Sequence, residues 1–461
     1  MSQSQPSPRL QRILYRIYHQ NSAVAHFLMH RFRPGGILLV LLIPASLLLL
    51  PQYSLAPLFQ IRASLFALLG FSAFWALIRR AKLKATRHLP KHATAQQELR
   101  YRVDLENTGA LSLTGSSVLE IPPDNRPSFD LFAHSREPGE QKRNLFDRFF
   151  CYYRWEWLQR TLTRFRSESS PPLQTLAPGA HTSTTLTLTP KQRGVISLND
   201  LRVTLPDPLG LFQQVRKIHT NNDQLIVLPK RYRLPQFSLP GSARFQIGGE
   251  TASSAVGQSG DFTSVRDYRP GDPLRHIHWK SWAKTGHPIV KEYEEVFFPR
   301  YGLVLDTFVP AEDADIFEES VSVAASFAAT IDTRESLLDL MFIRDEAHVF
   351  SAGRGEERID KMLEVLAGVS CEPREDFIEL QKLILRYRED LTACICIFTG
   401  WSEARNTMLK RLLQASISLK VICICKDEES IRQAKQSSPP VTPVHWLRSQ
   451  HIQQDLISPA T

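Results

Sequence analysis

Two apolar runs near the N-terminus, joined by a short and almost uncharged loop, constrain this chain more than any other feature. Gly36 to Leu50 reads GILLVLLIPASLLLL, with eleven Leu, Ile or Val residues. At about −0.3 to −0.6 kcal/mol each on an insertion scale, these outweigh the penalties of Pro44, Ser46 and the glycine. Ala63 to Ile78 reads ASLFALLGFSAFWALI, and Arg62 is the one charged residue between positions 36 and 78. Each run is slightly shorter than the roughly 20 residues a span requires. Pro51 to Tyr53 and Leu58 to Ile61 can supply the rest, with Arg62 snorkelling from near one end. The reading is a two-span transmembrane helical hairpin over residues 35–80. Its competitor is a buried helical hairpin of a soluble domain.

Charge sets the orientation. Arg9, Arg12, Arg16, Arg31 and Arg33 precede the hairpin, and Arg79, Arg80, Lys82, Lys84 and Arg87 follow it. Both outer flanks are basic and the loop between them is not, so both ends should face the cytoplasm and the hairpin should sit in the inner membrane. The formal net charge of +9 and pI near 9.3 fit an anionic neighbour. Their clustering around the apolar runs favours lipid headgroups over nucleic acid. Within residues 1–34, Leu10 to Phe32 mixes basic and apolar residues at near-helical spacing, as in a helix lying on the headgroups. The six cysteines lack the spacing of a small disulfide scaffold, and a reducing compartment is the simpler reading.

Downstream, the periodicity changes twice. Glu98 to Leu105, Val118 to Ile121, Thr184 to Leu188, Gly194 to Leu198, Leu201 to Leu205 and Leu225 to Leu228 are short strands bounded by turn residues. They predict a β-sandwich-like domain over 95–235, with an aromatic and basic helical insertion near 144–166. From Tyr301 onward, apolar strands alternate with helices, predicting an α/β domain over 300–428 with a mostly parallel sheet. The Ser/Pro/Gln-rich residues 440–461 read as a loosely ordered tail.

Between the two domains, residues 245–296 hold the densest pattern. Arg269-Pro270-Gly271-Asp272 suits a tight turn. Asp272 then reads as a helix N-cap, Pro273 as the first helical position and Gly286 as the stop, with a strand from Pro288. The core Tyr268, Pro270, Gly271, Asp272, Arg275, Ile277, Trp279 and Lys280 resembles the Y-x-P-G-D-x-x-R-x-I-x-W-K signature of the domain of unknown function 58 family. Asp261, Phe262 and Arg266 before it match as well, and so does the D-P-L-G-L-F element at Asp207 to Phe212. The resemblance implies a membrane hairpin, a β-rich domain and a C-terminal von Willebrand factor A-like domain. It also implies a MoxR-type AAA+ ATPase as partner, while leaving the family's biochemical activity unassigned.

An A-type domain normally holds Mg²⁺ through D-x-S-x-S after its first strand, with a Thr and an Asp from later loops, because a hard cation takes an octahedron of oxygens. Here Asp306 is followed by Phe308 and Pro310 where the serines should stand, so the resemblance implies a degenerate site and no metal. His276 and His278 diverge by about 200° on a helix and do not converge on one ion. Cys394, Cys396, Cys423 and Cys425 read as buried apolar thiols. No GxxxxGK[ST], GxGxxG, HExxH or GxSxG pattern occurs, which lowers the standing of the common nucleotide-binding and hydrolase classes. No cofactor and no catalytic residue is assigned. The leading expectation is a membrane-anchored adaptor, scaffold or assembly factor whose signature motif is structural or partner-binding. The alternative is an uncharacterised enzyme with a site around Asp261, Arg266, Asp272 and Lys280.

Overall fold

The computed structural model describes residues 8–49, 56–78, 81–235, 261–294, 299–310, 313–331, 336–344, 346–352, 356–372 and 376–457. They fall into two compact units. The first is Met1–Tyr232 with Phe308–Ser326 and Asp360–Pro373, and the second is Arg233–Thr307 with Phe327–Ile359 and Arg374–Thr461.

The first unit begins with three helices, α1 (Pro8–Arg31), α2 (Pro34–Leu49, with Pro44 inside it) and α3 (Ala56–Ile78). The apolar runs of the sequence are thus helical, and α2 and α3 touch each other. Among the described residues no helix is long and apolar enough to cross a membrane. The expected loop at 50–55 and the flank at 79–80 lie outside the described residues.

Strands follow: β1 (Leu83–His88), β2 (His92–Thr94), β3 (Leu99–Asn107) and β4 (Ser117–Glu120). Next come the helices α4 (Phe129–His134), α5 (Leu145–Phe150) and α6 (Tyr152–Leu162). The remaining strands are β5 (Phe165–Glu168), β6 (His181–Pro190), β7 (Gly194–Leu198), β8 (Leu201–Pro206), β9 (Gln213–Lys217) and β10 (Asp223–Leu228). They build three sheets in the orders β1-β3-β6-β5, β2-β10-β7 and β4-β8-β9. Alternation decides which side chains enter the core: β3 buries Tyr101, Val103 and Leu105 while Arg100 and Arg102 point out, as one-sided burial of an antiparallel strand requires. Arg87 on β1 donates to both carboxylate oxygens of buried Glu120 on β4, at 3.0 and 2.8 Å, and to Asp223 at 2.9 Å. That pair fastens separate sheets together. Strand pairing begins at Leu83, ahead of the expected boundary at 95, because Ala85 and Leu83 face inward between the basic residues that mask their alternation.

The same unit holds most of α8 (Ala314–Thr330) and the end of α9 (Glu356–Gly368). Arg193 donates to the carbonyls of Leu366 and Val369 at 3.1 and 2.6 Å, pairs with Glu318 and lies over the Phe317 ring. Segments 308–326 and 360–373, which fall inside the expected 300–428 domain, group with the β-rich unit.

The second unit carries the hairpin β11 (Asp261–Asp267) and β12 (Ile289–Glu294), with α7 (Trp279–Thr285) between them. It continues with β13 (Arg300–Leu305), β14 (Leu337–Arg344), β15 (Glu346–Ala352) and β16 (Ala393–Thr399), then β17 (Ser418–Cys425) and β18 (Val444–Arg448). The helices α10 (Phe377–Arg386), α11 (Glu403–Gln414), α12 (Glu428–Ser437) and α13 (Ile452–Ile457) complete it. Its six-stranded sheet has the order β15-β14-β13-β16-β17-β18. Every pairing is parallel except the β14–β15 edge. Strand order reverses at β13, which puts a topological switch point at its carboxyl end. β16 is buried along its whole length, as a parallel strand under cover on both faces should be. The expected tail at 440–461 is corrected: β18 pairs with β17 from Val444↔Val421 to Arg448↔Cys425, and Ile452 and Leu456 of α13 are buried. Surrounding Ser and Pro residues hid a strand whose partner is distant in sequence.

Candidate functional site

The signature turn is built around one ion pair. Arg266, near the end of β11, donates through Nη1 and Nη2 to the two oxygens of Asp272, at 2.7 and 2.8 Å. The backbone N–H of Arg269 adds a third bond to that carboxylate, at 2.8 Å. Together they hold the Asp272 carboxyl down at about 2, the Arg266 guanidinium being the largest cause. Gly271 takes φ 109°, a left-handed value that side-chain-bearing residues avoid. Tyr268 closes the hairpin by donating its N–H to the Pro288 carbonyl at 3.0 Å.

Asp272 is consequently not a helix cap. Pro273 is extended (φ −64°, ψ 125°), Leu274 to His276 form a single 3-10 turn, and the helix α7 starts only at Trp279. Ile277 bridges to Val290, and the His278 N–H donates to the Ile289 carbonyl at 2.8 Å. Backbone pairing with β12 therefore overrides the helical pattern across these two residues. Ile277 is buried, whereas Leu274 is 68% exposed, so the two do not share a face as a continuous helix would have them. Gly286 does end the helix, at φ 78° with its N–H on the Trp282 carbonyl. Asp261 opens β11, away from the Asp272 turn. Arg275, Trp279 and Lys280 are exposed, and the Trp279 and Trp282 rings stack with centroids 5.2 Å apart. The motif thus brings Arg266 and Asp272 together and leaves Arg275 and Lys280 on the surface.

A second constellation lies at the carboxyl end of β13. The Asp306 side chain is fully buried, and its Oδ2 accepts from Arg405 Nε at 2.8 Å, with Arg405 Nη2 also at 2.8 Å. Thr399, at the end of β16, donates its hydroxyl and N–H to the same oxygen at 3.2 and 3.3 Å. Arg405 also reaches the Ser402 hydroxyl at 3.1 Å and lies 4.9 Å over the Phe377 ring. A divalent ion needs several oxygens around it. Here a buried guanidinium occupies the carboxylate, Phe308 is buried and apolar, and among the described residues no group of three metal-ligating side chains occurs. These residues do not fit the Mg²⁺ of an A-type domain. The sequence singled out Asp306 and missed Arg405, which lies far along the chain and carries no local signal.

In the first unit, the Asp207 to Phe212 loop closes on itself, with Phe212 N–H donating to Asp207 Oδ1 at 3.0 Å. It meets both ends of the helical hairpin. The Arg33 N–H donates to the Leu211 carbonyl at 3.0 Å, Phe32 and Phe212 rings pack at 4.7 Å, and Ser72 of α3 donates to Asp207. A Cβ on Gly36 would overlap the Leu211 carbonyl oxygen. In the sheet of the second unit, Phe398 stands opposite Cys423 and Cys396 opposite Val421. The two cysteine pairs are therefore four residues out of step, and even their nearest members, Cys396 and Cys423, stand two positions apart. Burial pushes the Cys394 thiol up to about 12 and the Cys396 and Cys423 thiols upward as well.

Residues 264–398 match the family described as protein of unknown function DUF58, a match that takes in the signature turn and runs through β16. The uncharacterized protein YeaD of Bacillus subtilis (strain 168) is 31% identical over 182 residues, 39% of this chain and 44% of that relative. The chain thus spans less than half the length of the curated relative it matches. Among solved structures, a CARDB domain from Pyrococcus furiosus is similar at 11% identity over 32% of this chain and 97% of that one, with a TM-score of 0.16. The manganese-loaded TRAP protein of Plasmodium vivax is similar at 12% identity over 35% and 72%, with a TM-score of 0.25.

Proposed function

We propose that this protein is a non-enzymatic adaptor or assembly scaffold, anchored in the inner membrane by α2 and α3 with its folded units in the cytoplasm. Its C-terminal unit is a von Willebrand factor A-like domain, and its partner is a MoxR-type AAA+ ATPase. The observation that carries the reading is the state of the two acidic sites. Asp272 and Asp306 are each saturated by a guanidinium, which leaves neither carboxylate placed for proton transfer or metal binding. That favours a scaffold over an enzyme with its site around Asp261 to Lys280. The strand order with its switch point at β13 supports the A-like assignment. The apolar side chains exposed along α2 and α3, Leu38, Leu41, Phe59, Phe66 and Phe74 among them, support the anchor.

The test is affinity purification of the detergent-solubilised full chain at native expression. Enrichment of an AAA+ ATPase is the expected result, and recovery of the chain without any such ATPase contradicts the partner assignment.

A further inference from the structure

Helix α1 has two faces of opposite fate. On one face the Tyr15 and Tyr18 hydroxyls donate to the carbonyls of Pro127 and Phe150, at 3.3 and 2.8 Å, and Gln159 donates to the Ser22 hydroxyl at 2.8 Å. The Tyr15 ring also lies 5.5 Å from Phe129 and 5.8 Å from Trp155. These contacts fix the rotation of α1 against the insertion α4 to α6. At about 100° per residue, Ile13, Ile17, Val24 and Leu28 fall on the opposite side, where they are 41–56% exposed. Arg31 projects from the same side, and Arg9 and Arg16 flank the stripe, about 70° and 90° round the helix. All three are exposed, and α1 contains no acidic residue along its 24 positions.

We infer that this outward face of α1 is a lipid-binding surface, its apolar stripe seated at the acyl boundary of a bilayer and its arginines on anionic headgroups. The inference rests on the membrane-anchor reading and adds a second point of contact to it. Two observations name lipid as the occupant. The stripe leads directly into α2, which starts three residues after Arg31 and exposes Ile37, Leu38 and Leu41. The uniform positive charge matches an anionic leaflet, whose attraction for arginine falls off within a Debye length. An apolar stripe among basic residues is the pattern of a helix lying in the interface plane. The insertion α4 to α6 then acts as a clamp that presents the stripe.

The experiment uses the full chain with a genetically encoded nitroxide at Ile17, Ser22 or Phe74. The protein is reconstituted in nanodiscs of phosphatidylcholine alone or mixed with phosphatidylglycerol. The expected result is that Ile17 gains exposure to oxygen and loses exposure to a water-soluble nickel chelate when phosphatidylglycerol is present. Arg9→Glu with Arg16→Glu abolishes that dependence on lipid charge. Ser22 keeps one low accessibility to both reagents throughout. A nickel-accessible Ile17 in anionic discs, with Phe74 in lipid, overturns the inference and spares the anchor. A nickel-accessible Phe74 overturns both. Protection of Ile17 that persists in detergent and grows with protein concentration assigns the stripe to a second copy of the chain and overturns the inference too.

Discussion

At the residue scale the two arginine–aspartate pairs differ in burial, and that difference sets what each contributes. Asp306 and Arg405 are 0% and 5% exposed, so removing one partner strands a buried charge. Arg405→Met is expected to destabilise the second unit by about 3–5 kcal/mol, whereas adding Asp306→Leu to it restores much of the loss. Thermal unfolding of the two variants checks this; equal destabilisation by both would contradict a paired charge. Mg²⁺ should leave the unfolding temperature of the wild type unchanged. The Arg266–Asp272 pair lies near solvent, and its signature is pH. The folded carboxyl is depressed from 3.8 to about 2, so its contribution is complete above the ordinary value and is lost as pH falls through the folded one. The difference in urea midpoint between wild type and Asp272→Asn should hold constant above pH 3.8 and shrink between there and about 2. A difference that shrinks near neutral pH instead would assign it to another group.

At the element scale, what can be read from sequence tracks how local the cause is. The apolar strands β13, β14, β16 and β17 stand out as runs, since burial on both faces writes itself into every residue. The Gly286 stop is equally local. The helix expected from Asp272 fails because its competitor, strand β12, pulls Ile277 and His278 into backbone pairing that no window on that segment contains. β18 is invisible for the same reason: VHWLR becomes a strand because β17 is there to receive it. The Arg405 partner of Asp306 lies beyond any spacing rule. The DPLGLF loop is legible as an element while its contact with the helical hairpin is not. That contact is testable. Gly36→Val pushes a side chain onto the Leu211 carbonyl, so limited proteolysis should cleave the 207–212 loop faster than in wild type, with Gly70→Val as the control, its site having no neighbour within 4 Å. Equal cleavage of the two variants would mean the loop does not depend on α2.

At the scale of the whole molecule, two exposed apolar helices, proposed as an anchor, share the chain with a β-rich unit stapled by Arg87 and Glu120 and an α/β unit whose Asp272 and Asp306 are each paired with an arginine. A role in holding other proteins at a membrane follows only if the anchor spans it with both ends on one face. The direct measurement is protease digestion of epitope-tagged full-length protein in inside-out and right-side-out inner-membrane vesicles, after alkaline carbonate washing. With the proposed anchor in place, the protein should stay in the washed membrane pellet. Both termini should be digested in inside-out vesicles and protected in right-side-out ones. Release by carbonate, or digestion of the two termini from opposite faces, would contradict it.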